Sequence, residues 1–165
     1  MGHPLHPLLV ELPVSLWPVA FVIDLLTRLG FGGNPLVKTA FVAVLLGVLA
    51  AVPAALAGVM DWSGVKKKNP ARRLGLIHLV LNASATLLGF ISLILRIPFL
   101  GAGEVGSLPV ILMAGVTLLV AVSSYLGGRM VYDYGISVAR LTKDHWQRVA
   151  QEGLPHAESP ENGAS

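Results

Sequence analysis

Four long apolar runs divide this chain, and polar residues cluster in the short connections between them. The runs cover about residues 7–29 ("PLLVELPVSLWPVAFVIDLLTRL"), 39–60, 74–95 and 108–128. Each is long enough to cross a hydrocarbon core as a helix, which takes roughly 20 residues. The connections "GFGGNP", "DWSGVKKKNPARR" and "RIPFLGAGEVGS" are rich in turn formers. The first run lacks a basic leader and a small-residue cleavage site, and its apolar stretch is too long for a signal peptide. The pattern predicts an all-α fold, an integral membrane four-helix bundle, over residues 1–138.

Within the runs, the few polar and small residues fall at helical spacing. On the third, His78, Asn82, Thr86 and Gly89 make one stripe. On the second, Gly47, Ala50, Ala54, Ala57 or Gly58, and Asp61 do the same. Ala114, Thr117, Ala121, Ser124 and Gly128 follow on the fourth. Small stripes allow close helix packing in lipid, and equally leave room for a flat cofactor. No internal repeat stands out. Asp24 and Arg28 are spaced for an i,i+4 ion pair. Pro13, Pro18 and Pro53 are tolerated as kinks in a membrane helix.

Composition agrees with lipid as the outer solvent. Hydrophobic residues make up 54% and charged residues only 13%, where soluble domains carry about a quarter charged. With no cysteine, disulfides, thiolate metal sites, iron–sulfur clusters and thiol nucleophiles are excluded. Lys66, Lys67, Lys68, Arg72 and Arg73 crowd the middle connection, and Arg129, Arg140, Lys143 and Arg148 follow the fourth run. The positive-inside rule therefore places that connection and both termini in the cytoplasm. Residues 139–165 read as a cytoplasmic tail. It begins within a short amphipathic helix (about 136–151) anchored by Trp146, and "EGLPHAESPENGAS" follows as a disordered segment. His145 and His156 belong to this tail. No basic stripe is interleaved with aromatics, so nucleic acid is not a partner.

Candidate chemistry gathers at the cytoplasmic end. His3 and His6 each precede a proline, and His6-Pro7 marks the start of the first helix. Two crossings return the chain to the same face, so His78 enters at a similar depth, with Glu11, Asp61 and Trp62 at that level. Ionisable groups within membrane spans mark functional sites. The leading reading is a b-type haem with His6 and His78 as axial ligands, His3 as substitute, Asn82 alongside, and Arg72 or Arg73 meeting the propionates. It would exchange electrons with a quinone or a redox protein. A second reading is a divalent zinc or iron site, or a metal or proton pathway, built from His3, His6, Glu11, His78 and Asp61. A third is a non-catalytic subunit of a larger membrane complex or homo-oligomer, its histidines serving as interfacial caps. A hydrolase is disfavoured, because "VSSYLGG" lacks a nucleophile elbow.

"HPLHPLLVELPVSLW", "PAALAGVMDW", "ARRLGLIHLVLN" and "SSYLGGRMVYDYGISV" together resemble a bacterial membrane family, domain of unknown function 2231, from His3 to about Val138. The resemblance implies a four-helix domain of the bacterial inner membrane, sometimes found alongside Rieske or cytochrome modules, without an assigned activity. Many members carry a histidine where this chain has Glu11. The resemblance thus implies that a carboxylate replaces an imidazole here or that the site is altered.

Overall fold

Residues 5–136 are described by a computed structural model. They form four helices, α1 (Leu5–Arg28), α2 (Gly33–Ser63), α3 (Ala71–Arg96) and α4 (Ser107–Tyr132), with one 3-10 turn at Ile97–Phe99 before α4. All four are long and apolar enough to cross a membrane. The segment read as an amphipathic helix and a disordered end lies almost wholly outside the described residues, as does His3.

The helices outrun their apolar stretches. The second begins at Gly33 and continues through Asp61 and Trp62 to Ser63, because backbone hydrogen bonding carries a helix past the point where its side chains turn polar. Between α1 and α2, Gly30, Gly32 and Gly33 all have positive φ, between 54° and 85°. A side chain would be strained there, which is why a reversal of four residues suffices. At the start of α3, the Asn69 side-chain carbonyl accepts the Ala71 N–H at 2.9 Å, satisfying a free end-of-helix donor.

Neighbouring helices run antiparallel, with α1 packed most extensively on α2 and α3 on α4. The buried core is built largely of Ala and Val around Trp17 and Met113. Large apolar side chains such as Leu8, Leu49, Leu56, Ile111 and Leu118 point outward. In water this would be inverted. In lipid, where outer Leu and Ile meet acyl chains, packing of small residues is what holds helices together.

The interior contains a repeat that residue identity hides. His6 and His78, Trp17 and Gly89, and Asp24 and Arg96 are each 72 positions apart and meet across the α1–α3 diagonal. Buried positions obey the same offset: Pro13, Trp17, Ala20 and Asp24 on α1 answer to Ala85, Gly89, Ser92 and Arg96 on α3. On the second helices the offset is three residues shorter. Ala40, Val44, Gly47, Ala51 and Ala54 of α2 answer to Pro109, Met113, Val116, Val120 and Ser123 of α4. The bundle is thus two helical hairpins related by an approximate twofold axis along its length, correcting the expectation of no repeat. The same matching rotates α4 by one position from its expected face. Ala121 and Ser124 are exposed, while Val120 and Ser123 are buried, and Met113 and Val116 belong to the buried core.

The Asp24–Arg28 pair is also corrected. Asp24 turns into the bundle, where both its carboxylate oxygens accept from the Arg96 guanidinium. Arg96 Nε also donates to Ser92 Oγ, and Ser92 Oγ–H to the Pro109 carbonyl. The pair links α1 to α3, and its hydrogen-bonded extension reaches α4. A planar guanidinium meeting a carboxylate bidentately in a dry interior outcompetes a flexible i,i+4 neighbour. Arg28 instead reaches the Val105 carbonyl and Glu104.

Candidate functional site at the histidine end

At the end holding the start of α1 and the α2–α3 connection, the bundle encloses a mostly apolar cavity of about 370 Å³. That size lies within the usual range of ligand pockets, roughly 300–1,000 Å³. His6, Glu11, Asp61, Trp62, His78 and Asn82 all contribute to its wall.

The two histidines are held in the same way. His6 Nδ1 lies 2.8 Å from the Ala54 carbonyl on α2, and His78 Nδ1 lies 2.8 Å from the Ser123 carbonyl on α4. A carbonyl can only accept, so each ring donates to it through Nδ1–H, and Nε2 is the ring nitrogen that does not face that carbonyl. In an intact helix that carbonyl already accepts the N–H four residues on, and its second lone pair is reachable only if the residue there is small. In both hairpins that residue is glycine. A Cβ on Gly58 would come within 2.9 Å of the His6 ring, and one on Gly127 within 3.2 Å of the His78 ring. The ring centroids stand 6.1 Å apart with planes at 84°, and the approximate twofold axis passes between them.

Asn82 completes the His78 side. Its amide nitrogen faces the His78 carbonyl at 2.9 Å, Ser123 Oγ at 2.6 Å and His78 Nε2 at 3.1 Å. Two amide hydrogens meet three acceptors, and Nε2 is the farthest. His78 Nε2 can therefore turn to a ligand while Asn82 keeps both hydrogens bonded. Below it, Thr86 Oγ donates to the Asn82 carbonyl at 2.8 Å.

The other candidate residues are distributed more loosely. Glu11 and Asp61 line the cavity but are exposed, at its mouth. Among the described residues no group of three His, Asp or Glu converges to hold a metal ion. Arg72 caps the end of the bundle from outside the cavity wall. Its guanidinium lies 4.3 Å over the Trp62 ring and donates to the Val65 carbonyl at 2.6 Å, while Trp62 Nε1–H donates to the Arg72 carbonyl at 2.9 Å. Arg73 is exposed beside it.

The family model described as "Predicted membrane protein (DUF2231)" matches residues 2–140. The chain belongs to that family. No curated protein and no solved structure matches it. In this DUF2231 chain the site draws on residues that spacing alone did not single out: the Ala54 and Ser123 carbonyls, and Gly58 and Gly127 that open them. Their one sequence signal is a small or Ser residue followed four later by Gly at the depth of a histidine.

Proposed function

We propose that this membrane protein holds a b-type haem between His6 and His78 and passes electrons at that end of the bundle. The observation that carries the reading is the pair of imidazoles, each fixed through Nδ1–H on a helix carbonyl, at a centroid separation of 6.1 Å. Ligating histidines characteristically donate the other ring N–H in this way. His6 and His78 would hold one metal ion through their Nε2 atoms. Two histidine ligands would suit a haem iron, and Gly and Ala residues supply part of the cavity wall. Such a group would supply one-electron chemistry. Around it, His6 and His78 would hold the group, Asn82 would orient His78, and Arg72 or Arg73, at the same end of the bundle, would meet anionic propionates.

The second reading keeps the histidines as ligands of a bare zinc or iron ion, with Glu11 and Asp61 completing the set from the mouth. The basic run between α2 and α3 favours a cytoplasmic position for this end and for both termini. In the cysteine-free chain, Lys67→Cys should then resist a membrane-impermeant maleimide in intact cells while Gly103→Cys reacts. The reverse labelling would invert the topology.

The deciding experiment is an absorption spectrum of detergent-purified protein from haem-supplied cells, oxidised and then dithionite-reduced. A Soret band with sharp reduced α and β bands, lost in His78→Ala and changed in His6→Ala, is the expected result. A colourless protein overturns the haem reading. Stoichiometric metal lost in His6→Ala and Glu11→Ala would then establish the ion, and neither signal would leave assembly with larger membrane partners.

A further inference from the structure

The described cations fall into two groups. Arg28, Arg96 and Arg129 are each paired with a carboxylate, Glu104, Asp24 and Asp133 in turn. Lys66, Lys67, Lys68, Arg72 and Arg73 crowd into eight positions of the α2–α3 connection and the start of α3. Among the described residues no carboxylate pairs with any of them. Lys38, exposed near the opposite end of the bundle, is unpaired too but is a single charge. A cluster of one sign left unmatched by the protein selects an anionic partner.

The connection that carries the cluster is held in one shape. Trp62 Nε1–H donates to the Arg72 carbonyl, and the Arg72 guanidinium stacks over the Trp62 ring and donates to the Val65 carbonyl. The Lys66 carbonyl accepts the Asn69 N–H at 2.9 Å. Gly75 leaves the space in which Trp62 lies, since a Cβ there would come within 2.7 Å of its ring. Trp62 and Val65 form part of the wall of the histidine cavity, whereas Lys66, Lys67 and Lys68 are exposed. The connection is two-faced: its apolar side helps close the cavity, and its charges stand on a backbone already ordered, which lowers the cost of binding.

Position along the bundle narrows the partner. Val59 and Met60 before the connection, and Leu76 and Ile77 after it, are exposed apolar side chains. Lipid-facing surface therefore flanks the cluster on both sides. Arg73 precedes Leu76 by three residues, about 4.5 Å of helix rise. A negative group at that level with hydrocarbon attached is the phosphate of a lipid. A soluble acidic protein would match the charge but leave the apolar flanks uncovered.

We infer that the α2–α3 connection binds the phosphate of anionic phospholipids through Lys66, Lys67 and Lys68, with the acyl chains against the apolar flanks of α2 and α3. The inference stands whether the histidines hold haem, a bare ion or neither. It gives the lysines a role beyond fixing orientation, because a topology signal needs charge but no preference among lipids.

The test is native mass spectrometry of the detergent-purified full chain, titrated with phosphatidylglycerol or with phosphatidylcholine of the same acyl chains. Phosphatidylglycerol should bind on the order of tenfold more tightly, and the preference should decline as salt is raised. Each basic residue beside an anionic surface contributes about fivefold. Lys66→Gln, Lys67→Gln and Lys68→Gln combined should therefore abolish the preference, and Lys38→Gln should keep it. Equal binding of the two lipids, a preference that survives the triple substitution, or its loss in Lys38→Gln would overturn the inference. So would displacement of phosphatidylglycerol by equimolar inorganic phosphate, which would make this a free-anion site. Tighter binding of a Glu-rich peptide than of phosphatidylglycerol would assign the surface to a protein partner and overturn it equally. Should the triple variant fail to fold, the salt series on the unaltered chain decides, a lipid preference indifferent to salt being the contrary result.

Discussion

The two ends of the bundle solve the same geometric problem with opposite chemistry. At each, one side chain from α1 meets its 72-position counterpart from α3 across the interior. At the far end the partners are Asp24 and Arg96, both nearly inaccessible, joined bidentately and tied onward through Ser92 to α4. Both charges of that pair are matched. At the near end the partners are His6 and His78, each bonded through Nδ1 to a helix carbonyl, with a cavity beside them. The closed end uses its polar groups on one another. The open end holds them in place and leaves the two Nε2 atoms on the cavity side of those carbonyl bonds. A fold that repeats its backbone geometry while changing the pair at each tier can thus separate a structural clasp from a binding site within one bundle.

The largest effect should come from breaking the clasp. Arg96→Leu strands the Asp24 carboxylate in an apolar interior, and removing one partner of a buried pair costs about 3–5 kcal/mol. Thermal or denaturant unfolding in detergent should register it. Asp24→Leu combined with Arg96→Leu should recover most of the loss, since a paired charge replaced by apolar groups of similar volume is often neutral. A double variant as unstable as Arg96→Leu would show that the pair acts through more than mutual neutralisation.

At the open end, glycine rather than charge is the sensitive element. Gly58→Ala puts a methyl within 2.9 Å of the His6 ring. The ring must leave the Ala54 carbonyl or the helices must part, at about 1–3 kcal/mol for overpacking. Gly127→Ala, at 3.2 Å from His78, should lose less. A methyl on the adjacent Gly128 would meet nothing within 4 Å, so Gly128→Ala should hold stability or gain the roughly 0.5–1 kcal/mol by which Ala exceeds Gly in a helix. Under the haem reading Gly58→Ala and Gly127→Ala also diminish the Soret band, and Gly128→Ala does not. Equal behaviour of all three would remove the case for glycines as carbonyl windows.

How much of this was readable in advance follows from what each feature depends on. Four helices were legible because lipid-length apolar runs are a local signal. So was the meeting of His6 with His78, since two crossings bring the chain back to the same face. Asp24 misled because its spacing to Arg28 has a local signature, whereas a partner 72 residues away has none. The repeat stayed hidden for a related reason. Its matched positions share burial rather than identity, Trp17 answering Gly89 and Asp24 answering Arg96, so that the two halves are complementary where they touch. The face of α4 was read only in part by favouring small residues: Ser124 and Gly128 line the cavity, but Met113, Val116 and Val120 make the core.

The smallest effect sharpens the contrast between the two arginines near the closed end. Arg28 and Arg96 both have carboxylate partners, but Arg28 stands at the surface, with its side chain 40% exposed and 3.8 Å from Glu104, itself 57% exposed. Water and salt screen such a pair, and exposed pairs contribute about 0–1 kcal/mol. Arg28→Gln should therefore shift unfolding by no more than that, and the shift should shrink further in high salt. Arg96→Leu should keep its full effect at any ionic strength, because the solvent does not reach the charge it strands. If the two substitutions responded alike to salt, the Asp24–Arg96 pair would be open to water, and the closed end would not be closed.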